Sequence, residues 1–165
     1  MGLNLRDVLA CPGSQLPFRH RLEMDRLDFP SVLSYLEAPE GEGVVRNEAG
    51  TLTLTGHIRA RLRCACDRCA SVFETERDIP LDVPLARELQ DEENPDYFLL
   101  EGDELDLDDL LETAFILGMD GRFLCREDCR GLCPRCGANL NDGPCSCKPE
   151  TDPRLAVLEQ LLDDK

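Results

Sequence analysis

The chain has no tryptophan, two tyrosines and six phenylalanines, so its core must be built mainly from Leu, Val and Ile. Histidine is equally scarce. His20 and His57 are the only two, which removes most histidine-based metal sites and general acid–base pairs from consideration. Lysine occurs only as Lys148 and Lys165, leaving positive charge to guanidinium groups, which suit bidentate contacts with phosphate or carboxylate. An arginine-favouring genomic base composition produces the same bias. No apolar run is long enough to span a membrane. Met1 to Ala10, interrupted by Arg6 and Asp7, lacks the hydrophobic stretch of a signal peptide, and the lipoprotein-like Val8-Leu9-Ala10-Cys11 has no such stretch before it. These absences lead us to expect a cytoplasmic protein with no membrane partner, in a reducing compartment where paired cysteines are metal ligands more often than disulfides.

What is abundant is acid and cysteine. The formal net charge is −16, which opposes general nucleic-acid binding because phosphate contacts need clustered cations, although a local patch can override the total. At 165 residues the chain accommodates one domain with its own core and a small metal-stapled attachment. We place the division at 1–121 for an α+β core and 122–165 for a cysteine-rich segment ending in a helix.

The alternation from Thr51 to Cys64 is the clearest in the chain. Leu52, Leu54, Ile58 and Leu62 share one face with Gly56 and Ala60, while threonines, His57, Arg59, Arg61 and Arg63 occupy the other, which predicts a strand. Ile79, Leu81, Val83 and Leu85 predict a returning antiparallel strand, pushed towards a sheet edge by Pro80 and Pro84. Leu16, Phe18, Leu22 and Met24 suggest an earlier strand. Phe29-Pro30 to Leu36 suggests one or two helical turns, and Pro39 to Gly43 a flexible loop. From Glu88 to Gly121 there is no basic residue. The first half of this interval reads as loop, and the second as a helix through Leu107, Leu110, Leu111, Ala114 and Phe115, with Asp106 as N-cap. Thr151-Asp152-Pro153 opens a terminal helix with Leu155, Leu158 and Leu162 on one face. The fold class is therefore α+β: an antiparallel sheet, a packed acidic helix and a C-terminal zinc-knuckle segment.

Six of the ten cysteines lie between Cys125 and Cys147. Cys133-Pro-Arg-Cys136-Gly has the form of a zinc knuckle, whose glycine admits a turn with positive φ. Cys133 and Cys136 join Cys145 and Cys147 through the short loop Gly137 to Pro144 in one tetrahedral set. A second set joins Cys66 and Cys69, at the tip of the predicted hairpin, to Cys125 and Cys129, one helical turn apart. Four thiolates complete the shell of Zn²⁺ and leave no position for water, so one or two such sites per chain would be structural. An iron–sulfur cluster uses the same donors, and redox chemistry at Cys66-Asp-Arg-Cys69 lacks the helix start that lowers a thiol pKa. Cys64 competes with Cys66 as a ligand, and Cys11 is expected to be a buried small hydrophobe.

The strand ending in Cys66-Asp-Arg-Cys69, the acidic leucine-rich helix, the run Cys129-Arg-Gly-Leu-Cys133-Pro-Arg-Cys136-Gly-Ala-Asn-Leu-Asn141 and Asp152-Pro-Arg154 resemble the YceD-like proteins, the large ribosomal RNA subunit accumulation proteins, from about Thr51 onward. The resemblance implies a bacterial or organellar factor needed for normal amounts of large-subunit ribosomal RNA. It brings no catalytic residues. It supports Cys66, Cys69, Cys125, Cys129, Cys133, Cys136, Cys145 and Cys147 as ligands, while Cys64 departs from the pattern.

The leading expectation is a non-enzymatic ribosome-biogenesis factor that contacts large-subunit ribosomal RNA or its precursor through Arg59, Arg61, Arg63, Arg68, Arg126 and Arg130, with Arg122 and Arg135 nearby. The alternative is an acidic module that holds a basic ribosomal protein through Asp91 to Glu112. An enzyme ranks third, since no nucleophile motif or phosphate loop is present.

Overall fold

The computed structural model describes residues 2–87 and 97–147. The strongest period-two segment becomes the longest element: β5 (Thr51–Ala65) pairs antiparallel along its length with β6 (Val72–Ala86). Leu52, Leu54, Ile58, Ala60, Leu62 and Cys64 all point into the core, as the alternation predicts. The strand β2 (Gln15–Arg21) pairs with β4 (Glu40–Glu48), and β4 pairs with β5. β7 (Phe98–Leu99) adds a short parallel contact at Leu85 and Ala86. The sheet order is β2-β4-β5-β6-β7, and β3 (Val32–Tyr35) continues the β4 side of β5 towards its far end. Because β7 meets β6 only at its last two residues, most of β6 lies at an edge. Pro80 and Pro84 fit there: they share parity, so both missing N–H donors fall on the same side of the strand.

A second, two-stranded sheet joins β1 (Gly2–Asn4) to β8 (Glu104–Asp106). The short helix α1 (Arg6–Ala10) follows β1, and α2 (Leu107–Gly118) follows β8. Asp106 caps α2, its carboxylate accepting from the N–H groups of Asp108 at 3.0 Å and Asp109 at 3.3 Å. Leu107, Leu110, Leu111 and Phe115 are buried against the sheet. Phe115 meets Phe29 edge-on, with ring centroids 6.0 Å apart. Buried Asn47 donates to the Val8 carbonyl at 2.8 Å and accepts from Gly50 N–H at 2.9 Å. It thereby ties α1 to the turn between β4 and β5, where Ala49 and Gly50 both have positive φ, as a two-residue hairpin of the primed type requires.

Three expectations fail, each for a physical reason. Pro39 to Gly43 is not a loop: Glu40 onward forms β4, in which Gly41 and Gly43 face the core side. Gly43 sits directly across from Gly56, and a Cβ on either would lie 2.2 Å from a backbone oxygen of the neighbouring strand. The glycines are there for close approach. Phe29 to Leu36 is not helical either. Val32 and Tyr35 pair with Cys64 and Leu62 of β5, and this long-range pairing overrides the local pattern. The strand through Leu16 and Phe18 stops at Arg21, and Met24 begins a 3₁₀ turn. The expected terminal helix, with Leu155, Leu158 and Leu162, and the acids Asp91 to Glu93 lie outside the described residues.

Candidate metal centre

The β5–β6 hairpin delivers two thiols at its tip. Cys66 N–H donates to Ser71 O at 2.9 Å and Ala70 N–H to Cys66 O at 2.8 Å, closing a tight turn in which Ala70 takes φ of 55°. After α2 the chain runs back along the sheet to this tip. Arg77 on β6 holds that return segment: Nε lies 2.8 Å from Asp120 and the guanidinium sits over the Phe123 ring, 5.5 Å from its centroid. Asp67 grips the same segment, accepting from Phe123 N–H at 2.6 Å and from the Ser31 hydroxyl, while Asp67 N–H donates to Phe123 O at 2.8 Å. The Ser31 hydroxyl and the Phe123 N–H hold the Asp67 carboxyl below its usual range.

The return segment brings Cys125 and Cys129 against Cys66 and Cys69. The four sulfurs of this inner tetrad lie within 4.8 Å of one another, with Cys66 to Cys129 at 3.8 Å and Cys69 to Cys125 at 3.6 Å. A tetrahedral ion with metal–sulfur bonds of about 2.3 Å places its sulfurs roughly 3.8 Å apart, so the tetrad has the size of a single-ion site. These separations are far beyond the about 2.05 Å of a disulfide. Cys125 and Cys129 converge through a turn closed by Cys129 N–H to Arg126 O at 3.2 Å, not through the helical turn that their spacing suggests. Cys64 is fully buried in the main core and stands apart from the cluster, which gathers Cys66 instead. Cys11 is exposed, contrary to the expected burial, because it follows the last residue of α1 at the surface.

Cys133, Cys136, Cys145 and Cys147 form an outer tetrad whose sulfurs also lie within 4.8 Å of one another. Its knuckle has Gly137 at φ of 71°, with Gly137 N–H to Cys133 O at 2.9 Å and Cys133 N–H to Ala138 O at 2.8 Å. In both tetrads the crowding splits the thiols. Burial is the largest influence on Cys66 and opposes its ionisation, yet the backbone N–H groups of Cys125, Arg68 and Cys69 together bring it down to about 6. Burial and then the neighbouring Cys69, Cys66 and Cys129 thiols push Cys125 up to about 12. The backbone N–H groups of Cys136 and Arg135 draw Cys133 down to about 6, while the hydrogen bond with Cys136 and then burial push Cys147 up to about 12. One thiolate forms readily and the last resists, because like charges crowd a partly dry space. A divalent cation at the centre removes that resistance, and the all-sulfur donor set fits such an ion.

Three side chains inside the quoted motifs, Asp67, Arg68 and Asn141, support the tetrads through contacts that cysteine spacing does not show. Arg68 donates to Cys129 O at 2.8 Å, and its carbonyl accepts from Leu132 N–H at 3.1 Å. Asn141 donates to Cys129 Sγ at 3.3 Å.

The arginines fall into two groups. On the solvent face of the sheet Arg59, Arg61 and Arg63 stand directly across from Asp78, Glu76 and Glu74 of β6. Arg59 lies 3.3 Å from Glu42 and 3.8 Å from Asp78, and Arg61 lies 2.8 Å from Glu37 and 3.2 Å from Glu76. Around the tetrads, Arg126 reaches Asp128 at 3.6 Å; Arg122 and Arg130 there, and Arg63 on the sheet face, make no side-chain ion pair among the described residues. The acidic run is partly engaged too: Asp103 pairs with Arg6 and Arg87, Asp108 with His20 and Glu112 with Arg26. The other histidine, His57, contacts Glu42 at 3.0 Å on the open sheet face.

The family model of the large ribosomal RNA subunit accumulation protein YceD matches residues 54–162, from near the start of β5 through both tetrads. The chain is similar to an uncharacterised protein of Mycobacterium tuberculosis, and to one of Mycobacterium bovis, each 28% identical over 113 residues, covering 66% of this chain and 55% of the relative. It is also similar to the chloroplastic large ribosomal RNA subunit accumulation protein YCED homolog 1 of Zea mays, 24% identical over 150 residues, covering 72% of this chain and 51% of the relative. The chain thus spans about half the length of the curated relatives it matches. No solved structure matches it.

Proposed function

The chain belongs to the YceD family of large ribosomal RNA subunit accumulation proteins, and on that premise we propose that it is a non-enzymatic ribosome-biogenesis factor, acting in the cytoplasm and stapled by structural zinc. The observation that carries the reading is the pair of closed four-thiol tetrads. Each supplies a full set of four donors, so a bound ion keeps no open position at which to activate water. The tight sulfur separations favour a single ion over a polynuclear iron–sulfur cluster, which interposes several irons and sulfides between its cysteines. The inner ion joins the hairpin tip to the segment after α2, and the outer ion folds the loop beyond it. Residues 1–121 then serve as scaffold and 122–165 as the metal-bound working end. None of the described helices is long and apolar enough to cross a membrane.

For the contact with large-subunit ribosomal RNA or its precursor, the arginines do not count equally. Arg59 and Arg61 already face two carboxylates each, which cancels most of their field towards phosphate. The contact therefore falls to Arg63, Arg68, Arg126 and Arg130 near the tip. A second reading is favoured by those same ion pairs and by the net charge of −16: the protein holds a basic ribosomal protein instead of RNA. Measuring binding to large-subunit RNA at several salt concentrations separates the two. Replacing Arg63, Arg68, Arg126 and Arg130 together with Gln should weaken binding and flatten its salt dependence, while replacing Arg59 and Arg61 should change little. Binding that ignores both sets, with a salt-sensitive protein complex surviving ribonuclease, would transfer the function to the second reading. In cells lacking the protein, large-subunit RNA should fall and be restored by the parent chain but not by Cys129→Ser.

A further inference from the structure

We propose that Asn141 couples the two tetrads, so that filling the outer site raises the affinity of the inner site for its ion. The proposal rests on the reading that both tetrads hold metal. Asn141 lies in the loop between Cys136 and Cys145, which the outer tetrad closes, yet its side chain is directed at the inner one. Its Nδ2 donates to Cys129 Sγ at 3.3 Å and to Asn139 Oδ1 at 2.8 Å, and its Oδ1 accepts from Arg130 N–H at 2.8 Å. These partners fix the orientation of the amide, since the oxygen faces a donor and the nitrogen faces acceptors. An N–H aimed at a ligating sulfur disperses its charge and sets its direction, and groups of this kind commonly change metal affinity by about 10–100-fold.

The loop that carries Asn141 has little else to hold it. Among residues 137–147 none is buried, and Gly137 and Gly143 adopt positive φ. Among the described residues its backbone ties go to the segment shared by the two sites: Leu140 N–H to Gly131 O at 2.9 Å, Cys133 N–H to Ala138 O at 2.8 Å and Gly137 N–H to Cys133 O at 2.9 Å. Gly131, at φ of 76°, passes so close to the hairpin that a Cβ would lie 3.0 Å from Arg68 O. With the outer ion in place, four sulfur bonds pin this loop and present Asn141 to Cys129. Without it the loop loses those bonds and Cys129 loses its donor. By linkage, the inner ion favours the outer one by the same factor.

The test titrates the full reduced chain with Zn²⁺ against a chromophoric chelator, and with Co²⁺ to follow the thiolate charge-transfer bands. Four proteins are compared: the parent, Asn141→Asp, the outer-site variant Cys145→Ser/Cys147→Ser, and the combination. Asn141→Asp preserves shape and the acceptor for Arg130 but removes the donor to Cys129. We expect two ions on the parent, and inner-site affinity lower by about 10–100-fold in Asn141→Asp and in the outer-site variant. The combination should be no weaker than either alone, and the inner-site cobalt bands should shift in Asn141→Asp. Two ions on the parent with an inner-site affinity that is the same in all four proteins, or losses that simply multiply in the combination, would overturn the coupling while leaving the metal reading intact. No ion on the parent would overturn both.

Discussion

Adding one methyl group at Gly43 tests whether β4 belongs in the sheet as described. An ideal Cβ there lies 2.2 Å from Thr55 O, 2.8 Å from Gly56 Cα and 3.0 Å from Phe18 Cε1. The first two obstacles are backbone atoms of β5, so relief requires β4 and β5 to part. Glycine to alanine at an unobstructed position of compatible φ stabilises by about 0.4–1 kcal/mol through the unfolded chain. Overpacking costs about 1–3 kcal/mol and more where backbone must move. We therefore expect Gly43→Ala to lose about 3 kcal/mol, which lowers the melting temperature by about 6–12 °C in a chain of this size. Gly41→Ala meets the Leu111 methyl groups at 2.9 Å. A side-chain tip yields more easily, so its loss should be smaller, about 1–2 kcal/mol. Gly121→Ala, with nothing within 4 Å, should be neutral or slightly stabilising. Thermal unfolding of the three metal-loaded variants, followed by circular dichroism, ranks them. Gly43→Ala melting together with Gly121→Ala would refute the close pairing of the two strands.

Asp67→Ala removes the carboxylate that holds the Phe123 amide and the Ser31 hydroxyl; inner-site affinity should fall by about 10–100-fold in chelator competition, and an unchanged inner site would remove Asp67 from the support. Metal affinity should weaken as pH falls: Cys125 and Cys147 are pushed up to about 12 and stay protonated at neutrality, so each site releases at least one proton on loading. Each unit of acidification should then cost at least about tenfold in affinity, and affinities that hold constant from pH 8 to 6 would contradict this. Phe115→Ala empties a fully buried site between Phe29 and Tyr35 and should cost about 3–5 kcal/mol in urea unfolding; a loss below 1 kcal/mol would mean that α2 does not pack there.

The parts of this fold that can be read from the sequence are those whose side chains carry the pattern. The alternation in β5 survives because Leu52, Leu54, Ile58 and Leu62 all meet the core, and the cap of α2 is legible because Asp106 acts on its own neighbours. β4 is hidden because its core-side positions include Gly41 and Gly43, which fill space by leaving it empty. β3 is hidden because its pairing with β5 lies about thirty residues away in sequence, beyond any local signal. At the candidate metal centre, spacing suggests the same two sets of four cysteines that the fold brings together, but it leaves Cys64 in competition with Cys66. Asp67 and Asn141 stand in the quoted motifs, but their roles stay hidden because they depend on Phe123 and Cys129 arriving from other segments. The arginines show the opposite failure. Glu74, Glu76 and Asp78 alternate as regularly as Arg59, Arg61 and Arg63, but only the register of β5 on β6 reveals that they face each other, with Arg59 and Arg61 paired to Asp78 and Glu76.

The central claim is that two four-thiol sites hold the working end of the molecule on its sheet. Elemental analysis of the purified, reduced full chain tests it most directly. Two zinc ions per chain are expected, one of them lost in Cys145→Ser/Cys147→Ser. No bound metal, or iron accompanied by acid-labile sulfide, would contradict it.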